Sequence, residues 1–515
     1  MTGSARTLAA LGLGGLPRRG AAGDPAITGL AVDSRAAAAG DLFFALPGRA
    51  LDGAAFAQYA VRKGAVAVVA TSEGAARLEA DLGGLPVPVL VSAAPRAALA
   101  RAASSFWPRQ PAVMAAVTGT NGKTSVAHFL RQIWELSGQR AASLGTTGVE
   151  GALGFERRIA HTTPEPITLH RLLDDLAGAG ITHAAMEASS HGLAQHRVDG
   201  VRLAVCALTN ITRDHLDYHA SYEGYVEAKM RLFREVLPEG GAAVVHAGPH
   251  AMEVRQIAQR RGLRLRVVGP EAGAEFGADL TYAAAIRPDG LALAIGWQGT
   301  PAAPLRLDLL GAFQAENVGV AAAMALATGT EPAAVWAALP RLRGVRGRME
   351  RAARRANGAQ IVVDYAHTPD ALRAALAALR PHVRGRLVVT GGAGGDRDPG
   401  KRPMMGRAMA EGADQVIVTD DNPRSEDPAA IRAAVMQGCP GAENIADRAE
   451  AILAGVDALK APGDCLLIAG KGHEQGQEIA GRTVPFDDAA QARAAVAVLD
   501  GGGWPGEAPG EEDTA

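Results

Sequence analysis

The stretch from Gly119 to Ser125 carries the residue types of a phosphate-binding loop. It lies between an apolar run, 112–117, and a segment, 126–136, whose apolar residues recur at helical spacing. In a strand–turn–helix, backbone N–H groups and the helix N-terminus can cradle a polyphosphate. Lys123 could then reach the β- and γ-phosphates of ATP, and the Thr124 hydroxyl could hold Mg²⁺. The predicted ATP-binding residues of this loop are Gly119, Thr120, Asn121, Gly122, Lys123, Thr124 and Ser125.

The loop departs from the general phosphate-loop pattern at Val117, where that pattern has a glycine. The alternative interpretation is an ordinary strand–turn–helix that contains Gly-Lys-Thr by chance. Residues elsewhere in the chain must decide between the two.

Two further polar side chains follow apolar runs of the same region. Glu187 ends the run 182–187, and His215 follows the run 203–208. An open α/β sheet places its chemistry beyond the carboxyl ends of its strands. Mg²⁺ prefers oxygen ligands and accepts few protein contacts, so Glu187 and His215 are candidate magnesium ligands beside the loop. The alternatives, a solvated loop acid for Glu187 and a helix cap for His215, are equally open from these residues alone.

Lys229 lies on a predicted helix over 221–237, at the border of its apolar stripe. An inward-facing lysine is costly unless it is paired or loses its proton. A neutral amine can react with CO₂ to give a carbamate, which would be an anionic oxygen ligand for a second Mg²⁺. The alternative is a lysine that extends along the helix to reach solvent. The stripe consists of Tyr222, Val226, Met230, Phe233 and Leu237.

A chain of 515 residues is too long for one core, and about three domains are expected. The formal charge of −2 gives no reason to expect a nucleic-acid or membrane surface, and no apolar run is long enough to span a membrane. The apolar stretch near the N-terminus is short and interrupted by glycines, so it does not match a secretion signal. We therefore expect a cytoplasmic protein. The cysteines are predicted to be buried free thiols in a reducing compartment: Cys206, Cys439 and Cys465.

Apolar runs alternate with helical stretches between 360 and 469, which favours a Rossmann-like parallel sheet. The glycines at 391–395 do not form a dinucleotide fingerprint, because Asp-Arg-Asp-Pro follows in place of a helix. Polar clusters follow the runs at 396–402, 421–424 and 470–474. They combine cations with an anion, which suits a zwitterionic amino acid whose carboxylate an arginine could bind bidentately.

In their order and residue types, the motifs at 119–124, 186–197, 209–219 and 228–229 resemble those of the Mur ligases. The phosphate loop is also similar to that of their folylpolyglutamate synthase relatives. The resemblance implies an α/β chain of three domains. They are a small α/β uridine-nucleotide-binding domain (1–108), a central P-loop-type ATPase domain with a mainly parallel sheet (109–345) and a C-terminal Rossmann-like, amino-acid-binding domain (346–500). The Gly-, Pro- and acid-rich tail, 501–515, is predicted to be disordered.

The resemblance also implies roles for individual residues. Lys229 would be carbamylated, and catalysis would fall to Lys123, Lys229, His215 and Glu187. The metal ligands, for two Mg²⁺ ions, would be Thr124, Glu187, His215 and Lys229. The muramoyl-peptide nucleotide would be held by Val32, Ser34, Thr162, Thr163, Ser189, Gln195 and Arg197, with Arg49 in a nearby loop.

Three residues outside the loop resemble family contacts to ATP. Asn317 would lie on the adenine side, although a simple helix start explains 310–317 nearly as well. Arg348, in the basic run 341–351, would approach the phosphates, and Asp364 would contact the ribose. A nucleic-acid patch is the alternative for the basic run, but no aromatic residues interleave with it for stacking.

The run 421–424 resembles the specificity motif of family members that add meso-diaminopimelate. Arg424 would pair with the extra carboxylate, which L-lysine lacks. The implied amino-acid site consists of Arg397, Asp421, Asn422, Pro423, Arg424, Gly470 and Glu474. The implied reaction joins meso-diaminopimelate to UDP-N-acetylmuramoyl-L-alanyl-D-glutamate through an acyl phosphate. The rival interpretations are addition of L-lysine, a folylpolyglutamate synthase and a non-catalytic nucleotide-binding protein. We expect small-molecule substrates only and a monomer.

Overall fold

The computed structural model describes residues 5–48, 51–271 and 277–501. The predictions for Arg49 and for the tail from 502 onward concern residues outside the described ranges. The chain divides into two compact units. The first comprises Met1–Gly269, Glu275–Asp279 and Val320–Val335, and the second comprises Pro270–Ala274, Leu280–Gly319 and Trp336–Ala515.

The first unit begins with a sheet in the order β1-β5-β4-β3-β2, in which only β1 runs antiparallel to its neighbour. Its strands are β1 (Arg18–Arg19), β2 (Gly29–Ala31), β3 (Asp41–Phe44), β4 (Ala67–Ala70) and β5 (Val89–Val91). Its helices are α1 (Ala57–Arg62), α2 (Ser72–Leu82) and α3 (Pro95–Phe106). Strand side chains alternate between faces: Leu42 and Phe44 pack in one apolar cluster and Phe43 in another. The sheet is therefore buried on both faces.

A second sheet of this unit follows the order β13-β12-β11-β6-β10-β7-β8-β9 and is parallel as far as β7. Its strands are β6 (Val113–Thr118), β7 (Ala141–Gly145), β8 (Gly148–Gly151), β9 (Phe155–Arg157), β10 (His183–Glu187), β11 (Leu203–Leu208), β12 (Ala242–His246) and β13 (Arg264–Pro270). The helices of this stretch are α4 (Lys123–Leu136), α5 (Pro166–Gly178), α6 (Ser190–Ala194), α7 (Leu216–His219), α8 (Tyr222–Arg231) and α9 (Ala251–Arg261). A π-helical turn, Leu232–Val236, continues α8, so the predicted helix over 221–237 changes its winding near its end.

The second unit begins with antiparallel strands, in which β15 pairs with each of the other three. They are β14 (Leu280–Arg287), β15 (Gly290–Trp297), β16 (Thr300–Pro301) and β17 (Leu305–Leu307). The helices α10 (Phe313–Ala327) and α11 (Pro332–Ala338) follow along the chain, and their stretch Val320–Val335 belongs to the first unit. Short 3₁₀ helices among the described residues are Gly53–Phe56, Ala152–Gly154, Leu339–Arg341 and Arg380–His382.

The rest of the second unit is built on a sheet in the order β18-β19-β23-β20-β21-β22, parallel except for β18. Its strands are β18 (Glu350–Arg354), β19 (Gln360–Asp364), β20 (Leu387–Gly391), β21 (Gln415–Val418), β22 (Glu443–Asn444) and β23 (Cys465–Ala469), and β24 (Gly476–Ile479) pairs with β25 (Arg482–Pro485). The helices are α12 (Pro369–Leu379), α13 (Lys401–Gly412), α14 (Pro428–Met436), α15 (Arg448–Asp457) and α16 (Asp488–Leu499). The predicted α/β class with mainly parallel sheets is confirmed.

Two further expectations concern single features. Cys206, Cys439 and Cys465 are free and buried, as predicted. Within the described part of the chain, every helix is too short or too polar to cross a membrane.

Candidate active site

The phosphate loop runs from the end of β6 to the start of α4, which begins at Lys123. Gly122, with φ +86°, takes the left-handed conformation that turns the chain into the helix. The backbone N–H of Thr120 donates to the Asn210 carbonyl at 2.7 Å, and the Thr209 hydroxyl donates to the Asn121 carbonyl at 2.6 Å. The residues that follow β11 thus hold the loop from the neighbouring strand.

Two lysine amines meet at the carbonyl oxygen of Gly119. Lys123 Nζ donates to it at 2.9 Å and Lys229 Nζ at 2.7 Å. Lys229 is 1% exposed, so the helical pattern predicted its inward orientation correctly. Burial, with a further contribution from the charge of Lys123, lowers the pKa of Lys229 to about 6. Its amine is therefore largely neutral at pH 7, as reaction with CO₂ requires.

Tyr225 is a residue that the sequence analysis missed. Its ring centroid lies 4.4 Å from Lys229 Nζ, and its hydroxyl lies 3.0 Å from Thr120 Oγ1. Burial raises the pKa of Tyr225 to about 12, so the hydroxyl stays protonated. The sequence feature that could have identified Tyr225 is its position four residues before Lys229 on the same helix. It fell outside the apolar stripe that was considered.

Glu187 ends β10 and is 1% exposed, which rules out the solvated loop acid. Its Oε1 accepts hydrogen bonds from the Thr124 hydroxyl at 2.9 Å and from the Thr146 N–H at 2.7 Å. Two of the predicted magnesium ligands, Thr124 and Glu187, are therefore in direct contact. A hydroxyl and a carboxylate are the hard oxygen donors that suit Mg²⁺, which usually keeps several waters.

His215 stands apart from this pair. It has a positive φ of 52°, its side chain is 48% exposed, and its ring lies 4.9 Å from that of His191 and 6.2 Å from that of Tyr225. Among the described residues, no group of three His, Cys, Asp or Glu side chains is arranged to hold a metal ion. The structure thus brings together Thr124 and Glu187, and a role of His215 as a ligand stays a prediction.

Four of the residues predicted to hold the muramoyl peptide form one hydrogen-bonded network. The Thr163 hydroxyl donates to Ser189 Oγ at 3.0 Å, and Arg197 donates to the Thr163 carbonyl at 2.8 Å. Arg197 also donates to Gln195 Oε1 at 2.8 Å. Thr162 lies beside them, its hydroxyl 3.0 Å from Thr146 Oγ1.

Arg96 was also missed. Burial lowers the pKa of Arg197, and the positive charge of Arg96 on α3 lowers it further. Two arginines in one neighbourhood would suit an anionic substrate. Val32 and Ser34, which are the predicted contacts to the nucleotide, are partly exposed. They follow β2, a strand of the N-terminal sheet of the first unit.

In the second unit, two of the residues predicted to contact ATP, Arg348 and Asp364, lie just before β18 and at the end of β19. Asp364 accepts from the backbone N–H groups of Met349 at 2.8 Å and Ala366 at 2.9 Å, and burial raises its pKa. The Arg348 guanidinium carbon lies 4.8 Å from the Tyr365 ring centroid, and its buried Nε has no hydrogen-bond partner. That donor is one that a phosphate could satisfy. Asn317, which is 3% exposed, donates to Gln314 Oε1 at 3.0 Å within α10.

The runs that follow β21 and β23 come together at the carboxyl edge of the sheet, as the parallel arrangement requires. Asn422 Nδ2 donates to Glu474 Oε2 at 2.9 Å. Lys471 is fully buried and donates to Asn422 Oδ1 at 2.8 Å. A Cβ on Gly470, whose φ is +119°, would stand 2.4 Å from Asp421 Oδ2, so only glycine fits. Lys471 was not among the predicted site residues, although it lies inside the polar cluster 470–474.

Arg424, the residue after Pro423, has a left-handed backbone conformation with a φ of +53°. Its Nε donates to Glu478 Oε2 at 3.1 Å and its Nη1 to the Gly395 carbonyl at 2.8 Å. Glu478, on β24, was missed because no strand or motif marked it. Pro423 lies against the same loop, where its carbonyl would meet a Cβ on Gly395 at 2.0 Å. Arg397 follows that loop, and its positive charge lowers the pKa of Asp396, although hydrogen bonds from Ser425 are the larger cause.

The sequence matches three family profiles, described as "Mur ligase family, catalytic domain" at 26–107, "Mur ligase middle domain" at 117–325 and "Mur ligase, glutamate ligase domain" at 347–472. Together they span most of the chain. The chain belongs to the Mur ligase family.

Curated relatives include a protein of Bradyrhizobium diazoefficiens that is 51% identical over 92% of this chain and 95% of its own. Another, from Caulobacter vibrioides, is 48% identical over 93% of this chain and 97% of its own. Both are named UDP-N-acetylmuramoyl-L-alanyl-D-glutamate–2,6-diaminopimelate ligase.

A solved structure with that same name is 35% identical, covers 92% of this chain and 95% of its own, and has a TM-score of 0.67. A Mycobacterium tuberculosis folylpolyglutamate synthase complexed with ADP is 20% identical, with a TM-score of 0.58 over 73% of this chain and 91% of its own. That second likeness concerns the fold alone.

Proposed function

We propose that this protein is an ATP-dependent ligase of peptidoglycan precursor synthesis. It joins meso-2,6-diaminopimelate to the D-glutamate γ-carboxylate of UDP-N-acetylmuramoyl-L-alanyl-D-glutamate. The observation that carries the ATP-dependent part is the convergence of Lys123, the neutral Lys229 and the Thr124–Glu187 pair on one phosphate loop. The relatives of about 50% identity support the choice of substrates.

The reaction has two steps. A γ-carboxylate oxygen of the D-glutamate attacks the γ-phosphorus of ATP, the bond to the ADP oxygen breaks, and an acyl phosphate forms. The amine of diaminopimelate then attacks the acyl carbon, phosphate leaves with the bonding pair, and the nitrogen loses a proton to give the amide. Lys123 would offset charge on the transferring phosphoryl group, and the unpartnered Nε of Arg348 is a further donor suited to phosphate.

Magnesium would be held by Thr124 and Glu187, with His215 and a carbamate on Lys229 as further ligands. When bound, Mg²⁺ supplies positive charge that offsets the phosphate oxygens. The carbamate forms when the neutral Lys229 amine adds to the carbon of CO₂ and releases one proton. A neutral amine beside the loop would thereby become an anion, while the ring of Tyr225 packs against the side chain.

The nucleotide substrate would be bound by Val32 and Ser34 and by the network of Thr162, Thr163, Ser189, Gln195 and Arg197. The amino acid would be bound by Arg397 and Arg424, by the partly exposed Glu474, and by four buried residues, Asp421, Asn422, Pro423 and Gly470. Arg424 would pair with the distal carboxylate of diaminopimelate. The expectations of a monomer and of a cytoplasmic location stay predictions.

Phosphate release tests the proposal. Purified protein is given ATP, Mg²⁺ and UDP-N-acetylmuramoyl-L-alanyl-D-glutamate, with meso-diaminopimelate in one tube and L-lysine in another. Turnover with diaminopimelate alone supports the function. An Arg424→Leu variant should lose discrimination between the two amino acids by about 10²-fold, while Arg482→Leu, on the exposed strand β25, should keep it. Turnover with lysine alone would refute the role of Arg424, and no turnover with either would refute the ligase assignment.

A further inference from the structure

A cavity of about 480 Å³ in the second unit is lined by arginines that the proposed reaction does not use. None of its described lining residues belongs to the candidate active site. The lining is formed by Arg287, Asp289, Leu291, Arg306, Leu307, Asp308, Pro340, Arg351 and Arg354. Four arginines thus face one space with only two aspartates, in a chain whose overall formal charge is slightly negative. The volume lies in the range of small-molecule sites.

Three of these arginines have no counterion. Within the described residues, the guanidinium groups of Arg287, Arg306 and Arg354 make no hydrogen bond or ion pair, although most arginines of the chain do. Exposed arginines often extend singly into water, where they need no partner. Here three of them surround one concave space, which raises the positive potential inside it.

The sheet register directs two of them to the same face. Ala292 on β15 is paired with Ala285 on β14 and with Arg306 on β17, so these three side chains share a face. Arg287 lies two residues beyond Ala285 and therefore points to that face as well. The placement of Arg287 and Arg306 is thus fixed by strand pairing.

Arg351, on β18, forms the inner wall. It is ion-paired with Asp308, donates to Gln360 Oε1 at 2.8 Å and donates to the Asp289 carbonyl at 3.2 Å. Asp308 also lies 3.5 Å from Arg343, so its charge is shared between two arginines. Burial lowers the pKa of Arg351, and the nearby charge of Arg354 lowers it further. The positive charges of Arg351 and Arg354 are therefore close enough to repel each other.

We propose that this cavity is a second anion-binding site, which takes a small phosphorylated ligand of the size of pyrophosphate or larger. Guanidinium groups present paired N–H donors that match phosphate oxygens, and three unpaired groups around one space can bind more than one phosphate. The basic run 341–351, which has no aromatic residues for nucleic-acid stacking, contributes Arg351 to this site.

Pyrophosphate binding to the full-length protein tests the site. Titration calorimetry is done with saturating ADP and no added metal, so that the phosphate loop is already occupied. The wild type should bind about one equivalent of pyrophosphate. An Arg306→Gln/Arg354→Gln double variant should bind at least about tenfold more weakly. The matched control, Arg62→Gln/Arg482→Gln, removes two exposed arginines outside the cavity and should bind like the wild type.

The outcomes separate cleanly. Loss of binding in the cavity variant alone, with unchanged thermal unfolding, supports the proposal. Absence of pyrophosphate binding in the wild type, or equal binding by all three proteins, overturns it. Citrate that binds as tightly as pyrophosphate would also overturn the assignment to phosphorylated ligands. Because the ligase reaction is not measured, failure of this site leaves the proposed function untouched.

Discussion

The Lys229 side-chain nitrogen lies 2.7 Å from the carbonyl oxygen of Gly119 and donates a hydrogen bond to it. This contact joins α8 to the first residue of the phosphate loop. Lys123 donates to the same oxygen, so two amines share one acceptor. The arrangement is tolerable because burial keeps Lys229 mostly unprotonated, with its pKa at about 6.

Lys229→Met should strongly reduce activity and stabilise the protein. Loss of the proposed carbamate should lower kcat by about 10²-fold or more. Between pH 6 and 10.5 the unfolded chain holds a proton on Lys229 that the folded chain has released, so stability rises with pH across this window. The methionine variant removes that cost, and its unfolding midpoint at pH 7 should exceed that of the wild type by about 3 °C. The gain should vanish near pH 10.5.

The control is Lys460→Met, which replaces a largely exposed lysine and should change neither quantity. The unfolding measurement uses degassed buffer without bicarbonate, because a carbamate would alter the charge of the wild type, whereas the kcat measurement uses buffer that contains bicarbonate. A methionine variant with full activity would contradict the role of Lys229. A stability difference that does not depend on pH would contradict its depressed pKa.

Acid should destabilise the first unit through His170. This ring is fully buried, its Nε2 lies 3.0 Å from the Asp199 carbonyl, and burial lowers its pKa to about 4. Below pH 6.5 the unfolded chain binds a proton that the folded chain refuses, so stability falls as the pH drops from 6.5 to 4. His170→Gln should reduce this slope by up to about 1.4 kcal/mol per pH unit, as measured by denaturant unfolding. His161→Gln, at an exposed site, should leave the slope unchanged, and an equal effect of both variants would refute the prediction.

The parts of the site that follow from local pattern were predictable. The apolar run before Gly119 gave β6, and the helical stripe around Lys229 gave its inward orientation. The run 182–187 placed Glu187 at the end of β10. Each of these depends on residues close in sequence, where side-chain periodicity reports burial directly.

Contacts between distant segments were not predictable. Glu478 meets Arg424 only because β24 runs beside the turn at 421–424, and nothing in the sequence pairs the two. Arg96 reaches the neighbourhood of Arg197 because α3 packs near α5. His215 illustrates the reverse case, since its motif suggested a metal ligand but its side chain is 48% exposed. Such distances depend on the packing of whole elements, which periodicity does not encode.

Glu478→Gln should weaken binding of diaminopimelate without affecting ATP. The variant keeps the shape of the side chain but removes the charge that orients Arg424 at 3.1 Å. Because the pair is partly exposed, the loss should be at most about 1 kcal/mol, or a fivefold rise in the KM for diaminopimelate. The control is Glu411→Gln, which breaks a comparable exposed pair with Arg373. Steady-state kinetics should show unchanged KM values for ATP and for diaminopimelate in the control. A rise in the KM for ATP in the Glu478 variant would point to general disturbance instead.

Arg448 and Asp488 form an ion pair in which neither side chain has any exposed surface, with Nη2 and Oδ2 2.7 Å apart. Arg448 also donates to the Asp420 carbonyl at 3.3 Å and to the Ala469 carbonyl at 3.0 Å, immediately before Asp421 and Gly470. The pair therefore holds the ends of β21 and β23, on which the proposed amino-acid site is built. Arg448→Met leaves Asp488 buried without a counterion and should cost about 3–5 kcal/mol in denaturant unfolding of the second unit.

The double variant Arg448→Met/Asp488→Leu separates the effect of an unpaired buried charge on stability from the role of Arg448 in positioning the amino-acid site. It removes both buried charges, so most of the stability should return. The two carbonyls still lose their donors, so the KM for diaminopimelate should stay raised while the KM for ATP does not change. If the double variant is as unstable as the single one, the uncompensated charge of Asp488 is not the cause. If its KM for diaminopimelate returns to the wild-type value, Arg448 does not position the amino-acid site.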